Sequence, residues 1–434
     1  MQTAFHASTE HTLVQLLCQI AVILIVARCV GWLFTRLGQS QSIGEIFAGV
    51  LLGPSLFGWI APAAFGRLFT PAGPPILPFL SHIALILTLF LIGMEFDYSL
   101  IPRHARKVVA MALLTLILPL AVGAGLATWL WRLVPGQSGF TAYALFIGIT
   151  LAITAIPIMG RILMELGLTD TRMGVLAITT GATKDLFTWF LLTLIIGVAR
   201  PPVDLYAFLR MVALTALLGL VVMTLGRRLL ALAERRLPVH NGRPHPALLS
   251  GLLIALTLCA AATSAIGIFA IFGAFLAGVA LSSQRRLAAA VADRLHDLTI
   301  LYFLPLFFTY TGLRADLTQL SGPLLLCCLV VTVCGSVATG GPAYFVARLG
   351  GMARRESAAL ALLINTPGLM VLILLNIGLD LGVIPSALFS LLIGAALVRN
   401  LITTPLVRRL AAPGLPAAVE PDPAPALGAA AHAA

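Results

Sequence analysis

Two adjacent ionisable residues, Lys184 and Asp185, stand in the middle of an apolar run near residues 173–198. Each lies roughly a dozen residues from either end, too far at about 1.5 Å per residue for its side chain to reach a headgroup with ease. A charge at that depth costs about 2.5–3.5 kcal/mol on insertion scales, so it needs a partner or a wet cavity and marks a functional site. Neighbouring helical residues point about 100° apart, so the two need not bond each other. Either can face a site while the other supports it, or the pair can tie helices together. Lys184 is one of two lysines in a chain that otherwise uses arginine. A desolvated ammonium can release its proton where a guanidinium cannot, which is compatible with a proton-carrying role.

Two further apolar runs carry a proline at mid-length. One reads Thr154-Ala-Ile-Pro157 and the other Asn365-Thr366-Pro367-Gly368. Proline removes a helical hydrogen bond and clashes with the preceding turn. In lipid the freed backbone groups cost several kcal/mol each unless protein, water or an ion satisfies them. Thr150, Thr154, Asn365 and Thr366 place oxygen ligands where the backbone opens, which favours an ion site over a pair of plain kinks. Glu45 is a secondary carboxylate, expected near the end of its span and wet. Arg399, followed by Asn400, is expected either to neutralise a carboxylate across the bundle or to bind helix ends, the second being favoured. His82 reads as an interfacial histidine. Glu95 and Asp97 end a span and are expected to face water.

The elements that must hold these residues are membrane helices. The chain is 60% hydrophobic and 10% charged, with a mean hydropathy of +1.04. A soluble domain carries about 25% charged residues, too many for this composition to match. Runs of about 20 apolar residues match a hydrocarbon core of about 30 Å. Thirteen spans are expected, near 12–35, 43–60, 76–96, 108–133, 140–163, 173–198, 206–232, 246–265, 267–283, 296–313, 321–347, 357–378 and 384–410. The eighth and ninth are separated only by the turn at Ser264–Gly267. The first begins near Thr12 and outruns a signal h-region, so no cleavable leader is expected. All six cysteines fall inside spans and read as small hydrophobes, with no disulfide framework or metal cluster.

The net charge of +11 sits in short loops and forms no compact patch, which argues against nucleic acid. Loops after odd-numbered spans hold 19 of the Lys and Arg residues, including Arg227, Arg228, Arg235, Arg236, Arg285 and Arg286; loops after even-numbered spans hold five, Arg67, Arg132, Arg200, Arg210 and Arg314. The positive-inside rule then puts the N-terminus outside and the C-terminus in the cytoplasm, in a cell inner membrane. Residues 1–410 form the membrane domain. Residues 411–434, rich in Ala and Pro, read as a disordered tail without a nucleotide-binding domain. No nucleophile–base constellation, P-loop or metal-ligand cluster points to an enzyme or a cofactor.

The spans repeat. Ala48-Gly49-Val50 in span two matches Ala277-Gly278-Val279 in span nine. Phe90, Gly93 and Asp97 at span three match Phe308, Gly312 and Asp316 at span ten. The Pro157 break matches the Pro367 break, and Lys184-Asp185 matches Arg399-Asn400. The offset is always seven spans. Seven is odd, so repeat one (about 43–198) and repeat two (about 267–410) must be inverted relative to each other, an architecture that puts a site near the membrane midplane where discontinuous helices meet.

The runs Thr150–Leu168, Gly181–Trp189, Leu363–Gly378, Gly44–Pro54 and Leu89–Asp97, in that family's order, resemble the second family of monovalent cation/proton antiporters. The resemblance covers residues 12–410. It implies an all-α sodium/proton antiporter-like fold with two crossed, unwound helices, a core domain and a dimerisation domain, and hence a homodimer. It implies that Asp185 is the carboxylate shared by proton and cation, with Thr154 and its opened backbone part of the cation site and Asn365 and Thr366 the second unwound stretch. The chain departs from the pattern where Lys184 replaces an aspartate or asparagine, Pro367 a basic residue, Val371 a glutamate, and Thr339 or a neighbour a lysine. The expected activity is exchange of Na+ or K+ for H+ by alternating access. Two alternatives stay open at this point: a proton-coupled organic-anion transporter using Lys184, and a transport-inactive sensor or assembly subunit.

Overall fold

In a computed structural model the apolar runs fold into helices. The structure describes residues 2–410 apart from 40, 70–75, 95–104, 155–158, 161, 164–167, 169, 170, 200–204, 238, 240 and 241. The first helices are α1 (Gln2–Arg36), α2 (Gln41–Leu52), the short α3 (Phe57–Ile60) and α4 (Pro62–Leu68), and α5 (Ile76–Met94). Next come α6 (Ala105–Leu133), α7 (Phe140–Ala152) and α8 (Arg172–Ala199). A long helix follows: α9 (Leu205–Val221) runs through a π turn into α10 (Arg227–Arg236). Then follow α11 (Pro246–Ile266), α12 (Ala270–Leu281), and α13 (Arg285–Leu298), which a π turn joins to α14 (Leu304–Leu313). The chain ends with α15 (Gly322–Leu349), α16 (Arg354–Ile364), α17 (Leu369–Asp380) and α18 (Ser386–Leu410).

Among the described residues, ten helical stretches are long and apolar enough to cross a membrane. Two further apolar helices, α7 and α12, are shorter. The 28-residue α8 occupies the run that carries Lys184 and Asp185. The α11–α12 turn closes on Gly267, at φ 103°, a left-handed conformation that glycine adopts without strain. Its N–H donates to the Ser264 carbonyl, and the Ile268 N–H to that of Thr263, which ends α11 at the turn expected there.

The helices sort into two groups by their packing. In the first, α2 lies against α1 and α14, and α12 against α5 and α11. In the second, α6 packs on α7, α8 and α15, while α16 packs on α8, α15 and α18. We call these the frame and the core group. One apolar cluster spans both, from Ile46, Leu85, Leu89 and Phe307 to Ile149, Leu372 and Leu392. Leu209, Leu217 and Leu220 of α9 point outward, a surface suited to lipid.

Glycine sets the crossings within the frame. A Cβ on Gly49 would lie 2.4 Å from the Thr309 carbonyl oxygen and 2.9 Å from the Cα of Gly312. A Cβ on Gly278 would lie 2.2 Å from the Phe90 carbonyl oxygen and 3.0 Å from the Cα of Gly93. Helix α2 thus meets α14, and α12 meets α5, main chain against main chain. These four glycines belong to the sequence matches between spans two and nine and between spans three and ten.

Candidate ion-binding site

The two breaks open where a proline acts on the turn before it. Helix α7 ends at Ala152, and Ile153 is extended at φ −62° and ψ 142°. Ile153 is the residue whose carbonyl a proline at 157 would crowd, four positions upstream. Pro157 itself lies outside the described residues. Helix α16 ends at Ile364, Asn365 forms its cap, and α17 restarts at Leu369 after Pro367 and Gly368.

The last carbonyls of an α-helix have no intrahelical donor and carry the negative end of the dipole. Here neighbouring side chains supply the donors. Thr154, one residue past the first break, donates its hydroxyl to the Ile364 carbonyl at 2.7 Å. The two opened segments therefore touch. Lys184 on α8 is 0% exposed, and its Nζ donates to the Thr154 hydroxyl at 2.8 Å. Arg399 on α18 is 5% exposed and donates to both the carbonyl and the side-chain oxygen of Asn365. Thr339 on α15 donates to the Leu151 carbonyl at 3.0 Å, near the broken end of α7. Two buried cationic side chains thus converge on the crossing, a layout suited to holding anionic charge between them.

Asp185 belongs to α8, next to Lys184. Its side chain lies outside the described residues. Thr150 and Thr366 are buried beside the breaks, but each donates back to its own helix, to the Phe146 and Leu362 carbonyls. Their lone pairs remain as acceptors.

Glu45 requires a correction. It is 3% exposed rather than wet, because α1 and α2 close over it: a Cβ on Gly44 would lie 2.7 Å from the Cα of Gly31. Its carboxylate meets the Arg28 guanidinium at 3.9 Å and accepts from Gln41 at 2.9 Å. It belongs to the frame, whereas the crossing belongs to the core group. His82 is exposed, with Nδ1 2.8 Å from the Pro78 carbonyl. Glu95 and Asp97 lie outside the described residues.

Sequence reasoning missed Thr180 and Thr188. Both are buried, one turn to either side of Lys184 on α8, and neither hydroxyl has a hydrogen-bond partner among the described residues. A buried orphan hydroxyl is costly unless water or an ion completes it. The i, i+4, i+8 spacing of Thr180, Lys184 and Thr188 was the available signal. The roles of Thr339 and of Arg314, described below, carried no such local mark.

A family model described as sodium/hydrogen exchanger, transmembrane, matches residues 22–411. The chain is 36% identical over 413 residues to the Na(+)/H(+) antiporter NhaS4 of Synechocystis sp., covering 92% of this chain and 98% of that one. It is 33% identical to Cation/H(+) antiporter 18 of Arabidopsis thaliana and 28% identical to K(+)/H(+) antiporter 1 of Saccharomyces cerevisiae, spanning 48% and 47% of their lengths. Among solved structures, the sodium proton antiporter MjNhaP1 from Methanocaldococcus jannaschii at pH 8 matches with a TM-score of 0.65 and 15% identity, over 92% of this chain and 98% of that one. That likeness shows a shared fold. Fold and sequence agree: this multi-pass membrane protein belongs to the sodium/hydrogen exchanger family.

Proposed function

We propose that this protein exchanges a monovalent cation, Na+ or K+, for protons across the inner membrane by alternating access. Asp185 is the carboxylate that is either protonated or cation-loaded. Competition for one acid couples the two fluxes, because the core group moves when the acid is neutralised and a bare charge would have to cross a low-dielectric barrier. The observation that carries this reading is the bond from the buried Lys184 to Thr154. It ties the helix turn bearing Asp185 to the point where two broken helices meet. Thr154, Asn365 and the opened backbone offer the oxygen ligands. Exchange is one for one and electroneutral unless Lys184 also releases its proton when the cation arrives.

The same reading takes residues about 43–198 and about 267–410 as inverted repeats, each contributing helices to both groups, with a moving core group and a homodimer formed by the frame. The chain is oriented with its N-terminus outside and its arginine-rich loops in the cytoplasm. Relatives named as Na(+)/H(+) and K(+)/H(+) antiporters support the choice of ions.

Reconstituted protein tests it. A pH gradient across proteoliposomes should dissipate on adding Na+ or K+, and Asp185→Asn should abolish that response. Intact exchange in the variant would remove Asp185 from the mechanism. A second reading, proton-coupled transport of an organic anion, draws on the two buried cations at the crossing, Lys184 and Arg399. Uptake that needs Lys184 and ignores both sodium and potassium would select it.

A further inference from the structure

At the end of the bundle opposite the arginine-rich loops, a ladder of polar bonds joins the frame to the core group. Arg314, just past the end of α14, donates to the Asp380 carboxylate at the end of α17 at 2.6 Å. It also donates to the Asn376 side-chain oxygen at 2.8 Å. Asn376, one turn before Asp380 on α17, donates in turn to the Thr311 hydroxyl on α14 at 2.9 Å. The ladder runs inward. Asp380 is 39% exposed and Arg314 19% exposed, while Asn376 and Thr311 are buried. The guanidinium also lies between two rings, Tyr310 of the frame at 5.5 Å and Phe389 of the core group at 5.7 Å.

The setting gives the ladder its meaning. Elsewhere the boundary between α17 and the frame is apolar: Leu369–Ile377 of α17 are hydrophobic except for Asn376, and they join one cluster with Leu85, Leu89, Phe307 and Phe308. An apolar boundary has no directional bonds and resists sliding weakly. Charge-assisted hydrogen bonds resist it strongly and selectively. Arg314, Asn376 and Asp380 line a cavity whose other walls include Ser81 and His82 of α5, Phe307 of α14 and Ile373 of α17, so helices of the frame and α17 face each other across it. Its α17 lining runs from Asp380 at the polar rim to Ile373.

We propose that Arg314, Asp380, Asn376 and Thr311 form the gate on this face. Made, as here, the ladder bridges the two walls of the cavity. Opening requires the α17 end to leave the α14 end and breaks the three bonds from the wet rim inward. Each conformational cycle must break and remake them. This inference rests on the exchange reading for its role in transport, though not for the existence of the latch.

Two measurements test it. Cysteines at Thr311 and Asn376, in a chain whose six native cysteines are changed to alanine, should form a disulfide on oxidation. That cross-link should abolish exchange, and a reductant should return the flux present before oxidation. Full flux through quantitatively cross-linked protein would overturn the gate. In the native-cysteine chain, Asp380→Asn should raise amide hydrogen exchange at the ends of α14 and α17 by about tenfold, the effect of losing a charge-assisted bond. Unchanged exchange rates there would overturn the latch. The second readout needs no flux, so absence of transport for every ion would count against the exchange reading alone.

Discussion

The ammonium of Lys184 and the hydroxyl of Thr154 share a proton bridge of 2.8 Å, and the same hydroxyl closes the open end of α16 at Ile364. One small side chain therefore serves two helices that are distant in sequence. Thr154→Val keeps the shape and removes both bonds, leaving the Ile364 carbonyl without this donor. We expect a loss of about 1–3 kcal/mol in stability, read as a lower unfolding temperature in detergent, with most of it regained in Thr154→Ser. A Val variant as stable as the parent would mean the hydroxyl does not hold the crossing.

On the proposed mechanism proton and cation compete for one carboxylate, which fixes the direction of the pH effect. As pH falls the acid protonates, and the cation must displace a proton to bind. The apparent KM for the cation should rise about tenfold per pH unit on the acid side if one proton is displaced, and about a hundredfold if two are. Cation-dependent flux measured over three pH values separates these cases. A flat KM would rule out competition, and a change from the steeper slope to the shallower one in Lys184→Met would identify Lys184 as the second proton carrier.

Arg399 offers a different kind of cap. A single guanidinium nitrogen, Nη2, donates to both the carbonyl and the side-chain oxygen of Asn365. Arg399→Gln should cost about 2–3 kcal/mol, and Arg399→Lys about half that, as charge is kept but the shorter side chain reaches Asn365 less well. Thermal unfolding in nanodiscs gives the ranking. Equal losses in both variants would show that charge contributes nothing at this helix end.

Gly49→Ala and Gly278→Ala should each destabilise the frame by about 1–3 kcal/mol, because a methyl cannot enter a backbone contact without parting the helices. Gly251→Ala, on α11 with nothing within 4 Å of the added carbon, is the control and should be neutral or slightly stabilising. The comparison is a melting curve of three variants beside the parent.

What could be read from the sequence follows physical range. The helix ends near Pro157 and Pro367, the Gly267 turn and the buried Lys184 each depend on a few neighbouring residues in an apolar setting. They are written locally. Glu45 misled because its burial comes from α1 lying on Gly44, a contact that no property of α2 alone announces. Thr339 reaching Leu151, Arg399 reaching Asn365, and Arg314 reaching Asp380 join residues separated by 188, 34 and 66 positions. Such partners are chosen by the packing of whole helices. Thr180 lay within reach of the simple i, i+4 rule, since it sits one turn from Lys184.

The glycine contacts of α2 with α14 and of α12 with α5 have a mechanical corollary. Where two backbones touch at a glycine crossing, no compliant side chain stands between them at that point to absorb shear. A slip of one residue would set a Cβ against the opposing main chain at the crossing. On the proposed exchange mechanism the frame would then serve as a stator with two welded joints, and travel would belong to the helices that meet their neighbours through leucine and isoleucine.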